Sequence, residues 1–225
     1  MKPLPRSFYT PSANLVAPEL LGHMLVRNTA QGQMTAVIVE TEAYLLNDPA
    51  CHGAPGPTPR NRVMFGPAGN AYVYFIYGCH FCVNVVCQPA GIAEAVLIRA
   101  VNPVGGEDLM ETARPTKDRR LLTNGPGKLC QALNIGLAIN GMDLCTAHSS
   151  LFIAENPSAA EFRRQFGPLL NGPRIGITKA RELSLRFWLS GNPFVSKGAI
   201  RDPKLTRRGR TAHCPVPIAG DVKAN

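Results

Sequence analysis

Residues 70–87, NAYVYFIYGCHFCVNVVC, contain two runs of β-branched and aromatic residues that are separated by the tetrapeptide YGCH. Two such runs around a short break that contains glycine predict a β-hairpin, with Tyr77 near its tip. A third apolar run follows at residues 93–101 and holds Arg99 near its end. Three strands joined by short connections favour antiparallel pairing, so this region predicts a mostly antiparallel sheet.

The remaining elements are predicted by working outward from the hairpin. Further strands are predicted over residues 25–27, 34–41, 174–178 and 185–189. Helices are predicted from Pro18 into the first of these strands, after residue 104, and over residues 127–134 behind Pro126. Residues 47–58 are rich in proline and glycine and predict a loop.

These elements predict an α+β fold, a single mixed domain with a curved, mostly antiparallel β-sheet, peripheral helices and the protruding β-hairpin. The length of 225 residues lies near the upper end for one domain, and no internal repeat marks a boundary. We therefore predict a single domain over residues 1–225. Near the end the sequence becomes basic, RDPKLTRRGR, and then contains prolines, so residues 200–225 are predicted to be a mobile tail.

The composition narrows the class of protein. Hydrophobic residues make up 45% and charged residues 17%, which is typical of a globular chain and excludes general disorder. The net charge of +9 favours encounters with polyanions such as nucleic acid, without deciding the function. No stretch approaches the roughly 20 apolar residues of a membrane span, and the N-terminus lacks the apolar core of a signal peptide. These features predict a soluble, cytoplasmic protein without a membrane partner.

A second informative stretch is VETEAY, in which Glu40, Glu42 and Tyr44 follow a β-branched run. Alternation along a strand places these three side chains on one face. Two carboxylates at this spacing repel each other, which favours chemistry over packing. A carboxylate of this kind can hold a water as a general base and stabilise positive charge in a transition state. The alternative is a pair of solvated acids at the end of a strand.

Aromatic residues are concentrated near these acids and on the hairpin. Tyr44, Tyr72, Tyr74 and Tyr77 are four of the 5 tyrosines in the chain. Aromatic faces stack on nucleobases and contribute about 1–3 kcal/mol per base. The alternative is ordinary packing, since tyrosine is common in strands. His52, in the predicted loop, is either a contact to a base or an exposed loop histidine.

Two motifs point away from metal and nucleotide chemistry. Cys79 and Cys82 form a CxxC, but no second pair of ligands stands at a suitable spacing, so we predict no metal site. The motif NGPGKL differs from a phosphate-binding P-loop in its glycine spacing and in Leu129, which replaces Ser or Thr. It predicts instead a helix start that can face a phosphate.

Six motifs occur in a fixed order: IVETEAY, TPRNRVMF, YVYFIYG with FCVNV downstream, LIRA, NGPGKLCQAL and LRFWLSGNPFVS. Together they resemble the alkyladenine (3-methyladenine or N-methylpurine) DNA glycosylase family over residues 18–196. The resemblance implies a repair enzyme that flips a damaged purine nucleotide out of double-stranded DNA and hydrolyses its N-glycosidic bond, which leaves an abasic site. The implied lesions are 3-methyladenine, 7-methylguanine, hypoxanthine and ethenoadenine.

The same resemblance implies roles for individual residues. Glu42 is expected to be the general base that activates the water, and Arg99 is expected to help hold that water. Glu40 is then a structural neighbour. The expected contacts to the flipped nucleotide are Tyr44, His52 and Tyr74 around the base, Asn84 at the pocket floor against the exocyclic amine of guanine, and Tyr77 in the gap left in the base stack.

The resemblance further implies a monomer without cofactor or obligate protein partner, associated with the nucleoid or the nucleus. No lysine lies beside the carboxylates in sequence, which predicts a monofunctional enzyme without a lyase step. One alternative is a non-enzymatic basic module that binds nucleic acid, for which Glu42 and Arg99 are unnecessary. A sugar glycosidase that uses Glu40 and Glu42 is disfavoured. Such enzymes hold two carboxyls about 5–9.5 Å apart across the substrate, whereas residues two apart on one strand present their acids from the same side.

Overall fold

A computed structural model describes residues 1–197, so the predicted tail at residues 200–225 lies outside the described residues. The strands are β1 (Met24–Thr29), β2 (Gly32–Tyr44), β3 (Ala71–Ile76), β4 (His80–Cys87), β5 (Glu94–Gly105), β6 (Leu151–Ala154), β7 (Leu169–Gly172) and β8 (Arg186–Leu189). The α-helices are α1 (Ala13–Glu19), α2 (Glu107–Ala113), α3 (Pro126–Ala132) and α4 (Ala159–Gln165). Within residues 1–197 no helix is long and apolar enough to cross a membrane.

The strands form one antiparallel sheet around a long central strand. Its main order is β3-β4-β5-β2-β1-β6, and β8 pairs with both β2 and β7. Strand β5 runs along one side of β2, while β1 pairs with residues 32–37 and β8 with residues 40–42. The register between β2 and β5 shifts on both sides of Glu40, and irregularities of this kind bend a strand. The predicted α+β fold with a curved antiparallel sheet and peripheral helices is confirmed.

The predicted hairpin is also confirmed. Strands β3 and β4 pair in register from Ala71 opposite Val85 to Ile76 opposite His80. The connection is formed by residues 77–79, in which Tyr77 and Gly78, the central residues of the turn, have φ values of 55° and 70°. Positive φ at both central residues characterises the primed turns that match the twist of paired strands. The turn therefore fixes the register and leaves Tyr77 at the tip.

A contiguous apolar core holds the two strands that carry the acids and Arg99. Helix α1 packs against β2 and β5, and α3 packs against β4 and β5. Ile38 of β2, Ile98 of β5 and Leu129 of α3 are all buried in the same cluster. Each fully buried side chain of this size contributes about 1.5–3 kcal/mol. Polar groups on β2 and β5 are thus held by rigid elements rather than by loops.

The predicted helix that begins at Pro18 is wrong. Helix α1 begins at Ala13 and has Pro18 in its last turn. It begins there because the carboxylate of Glu94, on β5, accepts a hydrogen bond of 2.8 Å from the amide of Ala13. A carboxylate satisfies a free N–H group at a helix start and interacts well with the helix dipole. A cap that comes from so far along the chain gives no local sequence signal.

The predicted strand at residues 174–178 is also wrong. Gly176 in this segment has a φ of +81°, which is incompatible with an extended strand. The strand lies earlier in the chain, as β7, and pairs with β8. Strand β6 and helix α4 were not predicted, because both are short and their segments carry no clear periodic pattern.

Candidate active site

Glu42 is a fully buried carboxylate near the end of β2. Its Oε1 accepts a hydrogen bond of 2.8 Å from the amide of Ile175, and its Oε2 accepts one of 2.9 Å from the hydroxyl of Tyr44. Burial raises the pKa of Glu42, while the neighbouring guanidinium of Arg99 opposes that rise. The alternative of a solvated acid at a strand end is therefore wrong for this residue.

Arg99, on the adjacent strand β5, joins the two glutamates. Its Nη1 lies 3.2 Å from Oε1 of Glu42, and its Nε lies 3.3 Å from Oε1 of Glu40. Burial acts to lower the pKa of Arg99, but the two carboxylates outweigh this effect and raise it. The guanidinium therefore stays charged and fixes the position of Glu42.

Glu40 is fully buried as well, and its oxygens are saturated by protein groups. Arg186 donates from Nε at 2.6 Å, and the amide of Ser196 donates at 2.7 Å. Two carboxylates and two guanidiniums form a buried cluster without net charge, so the repulsion expected from the sequence is offset. The groups that bind the carboxylate of Glu40 are thus all side chains or backbone groups of the protein itself.

A cavity of about 520 Å³ opens beside this cluster. The structure brings to its wall every residue predicted for the base pocket or for DNA intercalation, Tyr44, His52, Tyr74, Asn84 and Tyr77. Arg99, one of the two residues predicted to be catalytic, lies there too. Glu42 lies beneath that wall and contacts three residues that form it, Tyr44, Arg99 and Ile175. A volume within the range of about 300–1,000 Å³ is typical of small-molecule sites.

An aromatic group forms one side of the cavity. The rings of His52 and Tyr74 have centroids 4.5 Å apart and meet edge to face, and Tyr72 lies 5.4 Å from Tyr74. Nδ1 of His52 lies 3.0 Å from the hydroxyl of Tyr72, which fixes the orientation of the imidazole. Burial and the nearby Arg60 lower the pKa of His52, so the ring is neutral at pH 7. This wall therefore consists of uncharged aromatic rings, with the guanidinium carbon of Arg60 5.9 Å from the ring centroid of Tyr74.

A buried ion pair lies next to two residues of the cavity wall, Tyr44 and Ile175. Arg174 donates to Asp48 through both terminal nitrogens and to the carbonyl of Ala43 at 2.9 Å. Its guanidinium carbon lies 4.6 Å above the ring of Tyr44. The pair therefore ties together the loop after β2, the segment before Ile175 and one pocket aromatic.

Tyr77 is the most prominent exposed aromatic residue at the cavity. Its side chain is 77% exposed, and its φ of 55° is uncommon for a bulky residue. Backbone strain of this kind costs roughly 1–3 kcal/mol and persists where surrounding structure imposes it, often at functional sites. Asn84, further along β4, is buried and donates to the carbonyl of Tyr72 at 2.9 Å.

The sequence did not indicate that several further groups lie at this cavity. Arg114 and Lys128 line it together with Gly125 and Gly127 at the start of α3. Partial burial, followed by the nearby Arg114, lowers the pKa of Lys128. The motif NGPGKL did indicate a helix start that can face a phosphate, but it gave no reason to bring Lys128 to the same cavity as Glu42. The amide of Ile175 has no sequence signal, because every residue except proline has one.

A family model and the similar proteins of several organisms point to the same family. A family model described as methylpurine-DNA glycosylase (MPG) matches residues 7–193. A protein of Carboxydothermus hydrogenoformans is 48% identical over 194 residues, which cover 86% of this chain and 98% of the relative. A protein of Rhodopseudomonas palustris strain BisB18 is 49% identical over 86% of this chain and 90% of its own length. One of Methanoculleus marisnigri is 48% identical over 86% and 98%. All three are named as candidate 3-methyladenine DNA glycosylases.

Proposed function

This chain belongs to the methylpurine-DNA glycosylase family, and from that premise we propose that it excises alkylated or deaminated purines from double-stranded DNA by hydrolysing the N-glycosidic bond. The observation that carries the proposal is the buried carboxylate of Glu42, held by Arg99 at the wall of an aromatic cavity. A module that only bound DNA would gain nothing from burying this acid, because a carboxylate repels phosphates. The product is an abasic site, as in base excision repair.

The base must leave the duplex to reach this acid. Because Glu42 lies beneath the cavity wall, a purine inside the base stack cannot approach it, so the nucleotide has to be flipped. We place the extruded base between Tyr44 on one side and His52 and Tyr74 on the other. Stacking contributes about 1–3 kcal/mol per base, and the aromatic faces attract the positive charge of an alkylated purine.

The proposed reaction uses Glu42 as the general base. As the bond between C1′ and the purine nitrogen breaks, a water held by Glu42 and Arg99 adds to C1′ and gives its proton to the carboxylate. The bonding electrons leave with the purine, which neutralises a positively charged lesion. The charge of Glu42 also stabilises the oxocarbenium-like sugar. None of these steps needs a lysine, so we propose a monofunctional enzyme that hydrolyses the N-glycosidic bond without a lyase step.

Contacts outside the base explain how the DNA is held. Arg114 and Lys128, at the cavity, and the net charge of +9 favour contacts to phosphates. Asn84 at the floor crowds the exocyclic amine of guanine and so disfavours that base. One copy of the chain carries all of these groups, so we propose a monomer that acts wherever the cell keeps its DNA.

A panel of duplexes that each carry one lesion tests this function. We expect release of 3-methyladenine to be faster than release of hypoxanthine or ethenoadenine, because a positively charged base leaves without further protonation. Release of 7-methylguanine should be slower than release of 3-methyladenine, because Asn84 crowds its exocyclic amine. A duplex with only undamaged purines is the control. Binding of every duplex without release of any base would instead support the non-enzymatic module.

Tyr77 gives a second prediction, on base flipping. Its exposed ring suits a wedge that fills the space of the extruded nucleotide. The change Tyr77→Ala should lower the single-turnover rate on duplex DNA by at least about tenfold, since flipping then lacks its replacement stack. Tyr77→Phe keeps the ring and should retain most of the rate. Equal rates for the alanine variant and the parent would contradict the wedge role.

A further inference from the structure

The segment from Asn192 to Ser196, named here the C-terminal strap, contacts the acid cluster through its last residue. Phe194 in the strap is fully buried in the main core, and Asn192 accepts a hydrogen bond of 3.0 Å from the amide of Phe194. The strap is thus anchored by packing and by its own turn. This anchoring delivers Ser196 to Glu40, 156 residues earlier in the chain.

The acid cluster consists of Glu40, Glu42, Arg99 and Arg186, and Ser196 contacts all of them except Glu42. Its amide donates to Oε2 of Glu40 at 2.7 Å, and its hydroxyl lies 2.8 and 2.7 Å from the two oxygens of Glu40. Nε of Arg99 donates to the same hydroxyl at 3.3 Å, and Arg186 donates to the carbonyl at 3.0 Å. A hydroxyl has one proton to donate and two lone pairs to accept. It therefore donates to Glu40 while it accepts from Arg99.

This arrangement decides how Arg99 divides its donors between two acids. Glu40 and Glu42 both compete for the one guanidinium. Because Arg186 and Ser196 already saturate Glu40, the terminal nitrogen of Arg99 is left for Glu42. Without the hydroxyl, Glu40 would lose one of its donors, and Nε of Arg99 would keep only Oε1 of Glu40 as an acceptor, so the guanidinium would move toward Glu40.

We propose that Ser196 is a positioning residue for the excision reaction, because its hydroxyl holds Glu40 and Arg99 in the arrangement that directs Arg99 onto Glu42. The proposal rests on the proposed function of Glu42. Ser196 lies beyond residue 193, where the match to the family model ends. The motif LRFWLSGNPFVS ends on Ser196, but the resemblance implies no role for this residue.

The pH dependence of the rate provides a readout that a merely structural role would not change. Glu42 must be ionised to act as a base, so activity is present above its pKa and is lost as the pH falls through it. The charged or titratable groups around Glu42 are Arg99, Glu40, Tyr44, Cys82, Arg174 and Arg186. Of these, Arg99 is the main group that opposes the raised pKa of Glu42. A displaced Arg99 should raise that pKa further.

The test is Ser196→Ala, measured as single-turnover excision across a range of pH with enzyme in excess over a lesion duplex. We expect the plateau rate to fall about tenfold, the size of effect typical when a hydrogen bond to a charged group is lost. The acid limb should move to higher pH, while affinity for the duplex stays unchanged. Ser190→Ala, on an exposed serine after β8, is the matched control and should match the parent in rate and pH profile.

Ser196→Cys covers the case in which the alanine variant does not fold. A thiol is similar in size to a hydroxyl but is a weak donor. The plateau rate of Ser196→Cys and the acid limb of its pH profile should therefore lie between those of the parent and those expected for Ser196→Ala. A folded variant of either kind with the parent rate and pH profile would overturn the proposal, whatever its melting temperature. If the parent releases no base, the proposed function and this inference fail together. If the parent releases base but Ser196→Ala behaves like it, only this inference fails.

Discussion

Replacing Glu42 by glutamine should nearly abolish excision while DNA binding survives. The amide keeps the shape of the side chain, but it cannot accept the proton of the water or stabilise a positively charged sugar. A general base contributes about 10²–10⁴-fold, and the lost electrostatic stabilisation adds to this. We therefore expect the single-turnover rate of Glu42→Gln to fall by at least about 100-fold. Affinity for a lesion duplex should stay similar or rise, because a negative charge near the phosphates is removed.

Glu40→Gln is the matched comparison, on the same strand and with the same change of charge. Glu40 bonds to Arg186 and Ser196 rather than to the water, so this variant should lose less activity than Glu42→Gln. It should lose more stability, because Arg186 keeps a buried charge without its partner. If Glu40→Gln were the less active of the two while still folded, the assignment of the base would be reversed. If both kept the parent rate, the mechanism would be wrong.

Asp48→Asn should strongly destabilise the fold. Asp48 and Arg174 are almost completely buried, with side-chain exposures of 1% and 0%. Removing one partner from a buried ion pair leaves an uncompensated charge and costs about 3–5 kcal/mol. The Nε of Arg174 already lacks a hydrogen-bond partner within the described structure, so no nearby group replaces Asp48. Denaturant titration should show a free energy of unfolding lower by that amount, a large part of the roughly 5–15 kcal/mol of a typical domain.

The matched control for this prediction is Glu155→Gln. Glu155 pairs with Lys2 at 3.0 Å, but both side chains are largely exposed to solvent. Exposed pairs contribute little, so this change should leave the free energy of unfolding nearly unchanged. Equal stability of Asp48→Asn and Glu155→Gln would mean that the buried pair does not hold the pocket wall.

Local patterns predict the parts of this protein whose contacts are close in sequence. The hairpin, the long strand with the two glutamates and the strand with Arg99 all follow from runs of β-prone residues. The resemblance to a known family adds the roles of pocket residues such as His52 and Asn84, and the structure brings these residues to one cavity. The roles of these residues remain proposals, and the variants described above would test them.

The sequence does not predict features that depend on residues far away in the chain or on backbone groups. Helix α1 starts at Ala13 because Glu94 caps it from another strand. The segment at residues 174–178 contains β-prone residues, but Gly176 and the pairing of Arg174 with Asp48 hold it as a loop. That loop matters because the amide of Ile175 reaches Glu42. No local pattern connects these groups, so only the folded chain reveals them.

The two glutamates of β2 are synthesised long before some of the groups that bind them. Ile175 and Ser196 reach Glu42 and Glu40 across separations of 133 and 156 residues. Loops of this length are entropically costly to close, and non-local pairings slow folding. On the ribosome, the hairpin and its aromatic wall can therefore form while both acids still lack their later partners. In the proposed mechanism, a nascent chain cannot hold Glu42 in its catalytic position until Ile175 and Ser196 have emerged, so the active arrangement would form after the hairpin.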